Sequence, residues 1–316
     1  MGMPGADMPE IAGGGGTMKV REASLDDTHD IVAVHLTNPD PPFDRPLESL
    51  TIAERCAHGG PWMAMETCAI HLNNLLAWGY APLVVEHKGK VIAETEFYVG
   101  RDIPPLGTTL DISVLYVHSD HQRRGAGTLL VEEMISRARH KACDHITVSG
   151  LGGPGSPGFY GRFGFTKLLQ MQTLDCSVPK QPRFDGGELY VPRDFEKPPN
   201  GTLWVGRFLS PCQKWREIVD GLNKRDLMLP STLGGYCMSQ GSLGYIVSEW
   251  GNRDAADLYL WGETLSGEMV SELLVRTGNA GYRRACLLCH PDMADVVAEI
   301  CACRPTPSWS IWGKRL

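Results

Sequence analysis

No stretch of the 316-residue chain approaches the roughly 18 uncharged apolar residues that a membrane-spanning helix needs. Its start shows no basic-then-apolar secretory pattern, so no membrane partner is expected. Positive charge is also in short supply. Lys and Arg total 30 against 37 Asp and Glu, a formal charge of -7. Nucleic-acid domains usually carry a basic face, so no nucleic-acid partner is expected either. Ten cysteines are too dilute for a disulfide scaffold, and a chain without an export signal keeps them reduced, which points to the cytoplasm. Apolar residues, by contrast, make up 42% of the chain, ample for a sizeable core. Length alone suggests about two domains. The one excess is glycine, 36 residues against a usual share of about 7%.

Residues 1–17 hold six of those glycines and no apolar periodicity, and read as a flexible leader. The Pro-rich stretch 179–199 cannot sustain a long helix or a central strand and reads as a linker. It divides the chain into 18–178 and 200–316. In the first part a strand over 19–22 precedes a helix entered at Ser24, and a second helix covers 63–78. Three β-rich runs follow over 83–87, 91–99 and 109–117, with Lys88-Gly89 as a hairpin turn. Leu130, Met134, Ala138, Val131 and Ile135 then share one helical face, with Glu132, Glu133, Arg137 and Lys141 on the other. Strands at 145–148 and 168–174 complete an α/β (α+β) domain with a mixed, mostly antiparallel sheet. The second part shows strands at 244–249, 257–261 and 285–289, helices around 269–274 and 292–303, and a closing strand at 309–312. That order repeats the one over 109–174 with negligible identity, as expected of a smaller, degenerate copy.

The most informative segment is 110–130, LDISVLYVHSDHQRRGAGTLL. Here a strand leads through Gln122-Arg123-Arg124-Gly125-Ala126-Gly127 into a helix. Glycines let the chain turn so that successive N–H groups converge at a helix start, a concave anion site strengthened by the helix dipole. Taken alone, the loop fits a plain strand-to-helix turn with two solvated arginines better than it fits an anion site. The nucleoside-triphosphate loop pattern is absent. The dinucleotide pattern fails because Leu130 stands where its third glycine would be.

About 30 residues later comes Phe159-Tyr160-Gly161-Arg162-Phe163-Gly164-Phe165. Gln-x-x-Gly-x-Gly after a strand, then Phe-Tyr-x-x-x-Gly-Phe, resembles the GNAT N-acetyltransferase superfamily over about 18–176. The resemblance implies acetyl-CoA as cofactor, with no metal expected. It assigns the pyrophosphate to Gln122, Arg123, Arg124, Gly125, Ala126, Gly127 and Thr128. The pantetheine arm falls to the main chain of Leu115, Tyr116 and Val117, with the Val117 N–H as oxyanion donor. It gives Tyr160 the role of acid towards the leaving sulfur and Phe159 that of a packing group. Asp111 matches a carboxylate that serves as base in some members, with Glu94 and Glu96 as alternatives. Strand alternation puts Asp111, Ser113, Leu115 and Val117 on one face and Ile112, Val114 and Tyr116 on the other. Many members have asparagine where this chain has Gly153, which leaves the second motif's cofactor contacts open and its helix short.

The expected activity is transfer of an acetyl group to a primary amine of a small molecule, peptide or protein. A non-catalytic acyl-CoA sensor or assembly module is the competing reading. The segments 37–50 and 175–185 are expected to border the acceptor's approach. The second part lacks arginine and paired glycines between Leu260 and Met269, so it is expected not to bind CoA. It would instead wall the substrate groove or form the face of a homodimer. Cys286-x-x-Cys289-His290 and Cys301-x-Cys303 have the letters of a haem or zinc site. However, Cys286 and Cys289 face opposite sides of a strand, so these are expected to be core cysteines.

Overall fold

The computed structural model describes residues 10–13, 16–37, 39, 43–149, 151, 155–178, 201–222, 232–237, 243–248, 254–264 and 266–316. The elements before the strand that leads into the Gly125–Gly127 loop are β1 (Glu10–Gly13), β2 (Gly16–Glu22), α1 (Thr28–Leu36), α2 (Ile52–Gly59), α3 (Met65–Ala77), β3 (Leu83–His87) and β4 (Lys90–Arg101). Then come β5 (Thr108–Val117), α4 (Ala126–His140), β6 (His145–Ser149), α5 (Ser156–Gly161) and β7 (Thr166–Ser177). The second part contains β8 (Thr202–Val205), α6 (Pro211–Leu222), β9 (Thr232–Cys237), β10 (Leu243–Ser248) and β11 (Ala255–Gly262). It ends with α7 (Gly267–Asn279), β12 (Arg284–Cys289), α8 (Pro291–Ile300) and β13 (Cys303–Arg315).

The strands form one sheet in the order β1-β2-β3-β4-β5-β6-β13-β7-β12-β8-β11-β10-β9. It is antiparallel except where β5 meets β6 and β11 meets β12, as a mixed, mostly antiparallel sheet requires. Lys88 and Gly89 make the expected tight turn between β3 and β4, both at positive φ (53° and 75°). The apolar face of α4 packs Leu129, Leu130, Val131, Met134 and Ala138 onto Val20, Val85, Phe97, Leu110 and Ile112. Arg137, Arg139 and His140 sit in its last turn, where the dipole favours positive charge. Among the described residues no helix is long and apolar enough to cross a membrane.

Several placements differ from the sequence reading. Residues 10–13, expected in a leader, pair with 16–19 as a hairpin edge. Helices α2 and α6 and strands β8 and β9 lie where no element was foreseen. Thr51 caps α2 by accepting the Glu54 N–H (3.2 Å), and the Glu54 carboxylate accepts the Thr51 N–H in return (2.8 Å). Most consequential is β13. The strand expected to close the second part's own sheet lies between β6 and β7, pairing with both. A strand's partner is fixed by tertiary packing, which local pattern does not encode. The linker 179–199 and Gly153 lie outside the described residues.

Candidate functional site

The site begins where β5 leaves β6. The two pair in parallel only from Thr109/His145 to Ile112/Val148, so among the described residues 113–117 have no strand partner on that side. On the other side β5 stays paired with β4 as far as Val117/Ala93. The His118 N–H donates to the Ile92 carbonyl (2.9 Å). Alternation of an antiparallel ladder then turns the N–H groups of Leu115 and Val117 away from β4, into the open wedge. The Gln122 amide donates to the Val117 carbonyl (3.3 Å), tying the following loop to the strand's end.

That loop opens directly onto the start of α4. Arg123 (φ 59°) and Gly125 (φ 101°) take left-handed conformations, and Gly125 is the N-cap, with no side chain to fill the helix end. The first helical bond runs from the Leu129 N–H to the Gly125 carbonyl (3.0 Å). The N–H groups of Ala126, Gly127 and Thr128 therefore point out of the helix end without an intrahelical acceptor. Arg123 and Arg124 are exposed beside them. The opposite wall is α5, six residues long, as expected. A Cβ at Gly127 would lie 3.3 Å from the Phe159 ring and 3.5 Å from a Val117 methyl, so only glycine leaves the helix start open here. Tyr160 is buried between Phe159 and Phe165 (ring centroids 5.1 and 5.3 Å). Burial, reinforced by the charge of Asp111, raises its phenol above the ordinary range, so it stays protonated.

The alternation expected along β5 is broken. The ladder shifts between Glu96/Val114 and Phe97/Ile112, leaving Ser113 as an extra residue. This bulge puts Ile112 on the α4 face with Leu115 and Val117, which pack against the same core. Asp111, opposite Tyr98, instead joins Tyr116, Glu94 and Glu96 on the other face. One residue of slip moved the carboxylate across the sheet.

On that face Asp111 is buried. Its Oδ1 accepts from Thr147 Oγ1 (2.6 Å), Ser149 Oγ (3.4 Å) and Arg207 Nη2 (3.3 Å). Arg207, which follows β8, is wholly buried and forks onto Asp102 at 2.7 and 2.5 Å. Burial raises the Asp111 pKa, and the Arg207 charge opposes that shift. Nothing in the reading of motifs pointed to Arg207. Its one signal is a lone charge in the apolar run Leu203–Leu209.

Glu94 and Glu96 are also buried. Glu96 Oε1 accepts from Trp62 Nε1 (2.8 Å) and meets His71 Nε2 (2.9 Å), while its Oε2 has no hydrogen-bond partner. Glu94 Oε2 lies 2.6 Å from His35 Nε2, and the His35 ring stacks on Trp62 (5.0 Å) and Tyr116 (4.3 Å). Burial pushes His35 down to about 3, while burial and the Glu96 charge push Glu94 well up. Both directions make this contact a neutral carboxylic acid donating to a neutral imidazole. Helix α6 packs against β4, where Cys212 bonds Tyr80 (2.9 Å) and closes the outer side of this face. A cleft of about 330 Å3, lined by Phe43, Asp44, Arg45, Leu50, Glu54 and His58, opens beside α2.

The acetyltransferase (GNAT) family matches residues 45–165. The L-amino acid N-acyltransferase MnaT of Escherichia coli is 31% identical over 118 residues, 34% of this chain and 67% of that protein. The L-methionine sulfoximine/L-methionine sulfone acetyltransferase of Salmonella typhimurium is 32% identical over 111 residues, 32% of this chain and 64% of that protein. Two solved structures resemble nearly the whole chain in fold. One, from Pyrococcus horikoshii and assigned as an acetyltransferase, has a TM-score of 0.54 at 14% identity, covering 95% of this chain and 89% of its own. The other, a GCN5-related N-acetyltransferase from Kribbella flavida, has a TM-score of 0.57 at 13% identity, covering 95% and 71%. The class defined by this fold and wedge is that of the acyl-transferring enzymes. The chain belongs to the acetyltransferase (GNAT) family, whose cofactor is acetyl-CoA.

Proposed function

We propose that the chain transfers an acetyl group from acetyl-CoA to the primary amine of a small molecule, an amino acid or amino-acid analogue by preference. The reading rests on the open wedge between β5 and β6 facing the uncapped start of α4. The names of the two curated relatives support the acceptor class.

The residues present fit the cofactor. The N–H groups of Gly125, Ala126, Gly127 and Thr128, with Gln122, Arg123 and Arg124, hold the pyrophosphate at the helix start. The main chain of Leu115, Tyr116 and Val117 receives the pantetheine arm along the wedge, and Phe159 covers it. When bound, acetyl-CoA supplies an acyl group activated as a thioester. The Val117 N–H steadies the charge developing on the carbonyl oxygen, an effect worth roughly 3 kcal/mol. The amine nitrogen bonds to the carbonyl carbon as the carbon–sulfur bond breaks, all within one ternary complex. Tyr160 gives its proton to the departing sulfur.

The amine's own proton goes to the carboxylate face. Among the described residues Asp111 Oδ2 and Glu96 Oε2 each lack a hydrogen-bond partner. The charge of Asp111 is matched to Arg207, so Glu96, with half-buried His71 beside it leading outward, is the better proton acceptor. The acceptor approaches past the 43–58 cleft.

The test is calorimetric titration of the full chain with acetyl-CoA, then thiol release across a panel of L-amino acids, methionine sulfone, polyamines and peptides. Micromolar binding and turnover on amino-acid amines are expected. Binding without turnover anywhere on the panel would turn the reading to an acyl-CoA sensor, and no binding would overturn both. Tyr160→Phe and Glu96→Gln should each lower kcat about 100-fold with little change in acetyl-CoA affinity. Unchanged turnover in either removes that residue's role.

A further inference from the structure

Away from the wedge, three thiols meet where α8 ends and β13 begins. Cys176 of β7 is fully buried, and Cys301 and Cys303 are half-buried. The three sulfurs all lie within 4.8 Å of one another. Cys176 and Cys303 are direct partners across the β7–β13 ladder. The next rung, Ser177/Ala302, carries the hydrogen bond (3.0 Å), so the cysteines occupy a rung without hydrogen bonds, where side chains come closest.

Their contacts are unusual for packing. Cys176 Sγ lies 2.8 Å from Cys303 Sγ, and Cys301 Sγ lies 3.2 Å from it. Non-bonded heavy atoms settle at about 3.5–4.0 Å, whereas a disulfide holds its sulfurs at about 2.05 Å. The other groups against the thiols are the carbonyls of Val297 (3.6 Å from Cys301 and 3.8 Å from Cys303) and of Cys301 (3.2 Å from Cys303). Every one of these atoms can offer an electron pair. Such a constellation suits a soft cation better than it suits three thiol protons.

We propose that Cys176, Cys301 and Cys303 form a binding site for a thiophilic metal ion, zinc(II) in the first instance, that fastens the start of β13 to β7. Tetrahedral zinc with sulfur at about 2.3 Å keeps its sulfurs about 3.8 Å apart, so the pairs now at 2.8 and 3.2 Å would open by about 1 Å or less to ligate. Each thiol that ligates forms a metal–sulfur bond and releases its proton to solvent, three protons per ion. The fourth corner falls to water. The half-exposed Cys301 and Cys303 give the ion a way in. The sequence reading took Cys301 and Cys303 for core cysteines. Cys301-x-Cys303 contributes, but its third sulfur comes from Cys176 of the first part.

The test uses the full-length reduced chain, equilibrated with zinc chloride and passed over a desalting column. Elemental analysis should find about one zinc per chain in the wild type and in Cys143→Ser, a buried cysteine outside the cluster. Cys303→Ser and Cys301→Ser should each retain less than about a tenth of that. Circular dichroism identifies any variant that fails to fold, and Cys301, at the helix end, is the milder site. Replacing zinc by cobalt(II) should give a thiolate-to-cobalt absorption in the wild type that both variants lack. A chelator should lower Tm in the wild type and leave it unmoved in Cys301→Ser. Failure of the reduced wild type to retain zinc overturns the proposal, as does equal retention by both serine variants. A Cys176–Cys303 disulfide in non-reducing peptide maps of the zinc-equilibrated protein overturns it too. None of these outcomes bears on acetyl transfer.

Discussion

The crossover from β5 through α4 to β6 and that from β11 through α7 to β12 share a plan and part company at the wedge. Each begins with a short parallel pairing, Thr109–Ile112 with His145–Val148 and Ala255–Asp257 with Arg284–Cys286. Beyond Ile112 the first wedge stays open. In the second, β8 fills it, pairing Val205, Leu203 and Thr202 with Leu260, Trp261 and Gly262 and reaching Cys289 on the far side. The helix starts differ in the same sense. Gly125 leaves α4 uncapped, whereas Ser266 Oγ accepts the Met269 N–H (3.4 Å) at the start of α7. On the face beneath α6, Trp215, Tyr245, Tyr259 and Trp261 form a packed aromatic core where the first unit buries Glu94 and Glu96. The second unit thus repeats the plan with its wedge filled by β8. Its contribution to the first is Arg207, delivered by the same segment that fills the wedge.

The largest effect expected from breaking this relation is at Arg207. Arg207→Met leaves Asp102 and Asp111 buried without their cation and should cost about 3–5 kcal/mol in urea unfolding. Asp102→Asn in the same chain should restore part of it. A loss below about 1 kcal/mol would mean that the two units are not coupled there.

Next is the helix start. Gly127→Val drives side-chain atoms onto Phe159 and Val117 and should weaken acetyl-CoA binding about 100-fold, or 2.7 kcal/mol. Gly267→Ala at the head of α7, where the added Cβ meets Ile300 at 3.2 Å, should leave that affinity unchanged. Equal losses in both would make the second unit a cofactor site after all.

The carboxylate face gives a pH signature that the aromatic face cannot. Glu94 has a raised pKa, so the folded protein keeps a proton that the unfolded chain releases above about 4.3. Its contribution to stability is therefore lost as pH rises towards the folded value. His35, lowered to about 3, works in the opposite sense. Below about 6.5 the unfolded chain gains a proton that the folded protein refuses, so stability falls as pH drops. The two slopes offset each other between about 4.3 and 6.5. The Glu94 slope, at up to about 1.4 kcal/mol per pH unit, continues only as far as its raised folded value. Glu94→Gln should flatten the upper limb in urea unfolding at several pH values. A slope unchanged by the substitution would show Glu94 to be ionised in the fold.

The smallest effect is at the capped helix. Ser266→Ala should cost about 1 kcal/mol of stability and nothing in acetyl-CoA affinity.

What could be read in advance was what is local. The stripe of α4, the turn at Lys88-Gly89, and Gly125, Gly127, Phe159 and Tyr160 each declare themselves within a few residues. The two motifs then find each other through the fold they belong to. The face of Asp111 was misjudged because a single bulge at Ser113 inverts the alternation, and bulges follow from pairing rather than from composition. Arg207 and the meeting of Cys176 with Cys303 were beyond reach for another reason. Their partners are about a hundred residues away, as with the 127 between Cys176 and Cys303.

That separation also bears on how the protein comes into being. The strands that carry the wedge are all made by the time Ser177 is added, yet the strand that belongs between β6 and β7 is still unwritten. At about 5–20 residues per second, translation needs on the order of ten seconds to reach it. Throughout that interval the nascent first unit holds two unsatisfied strand edges apart, and they must not close on each other or on a neighbouring chain. The whole second unit is synthesised inside that gap, so its folding sets the moment at which the first can finish.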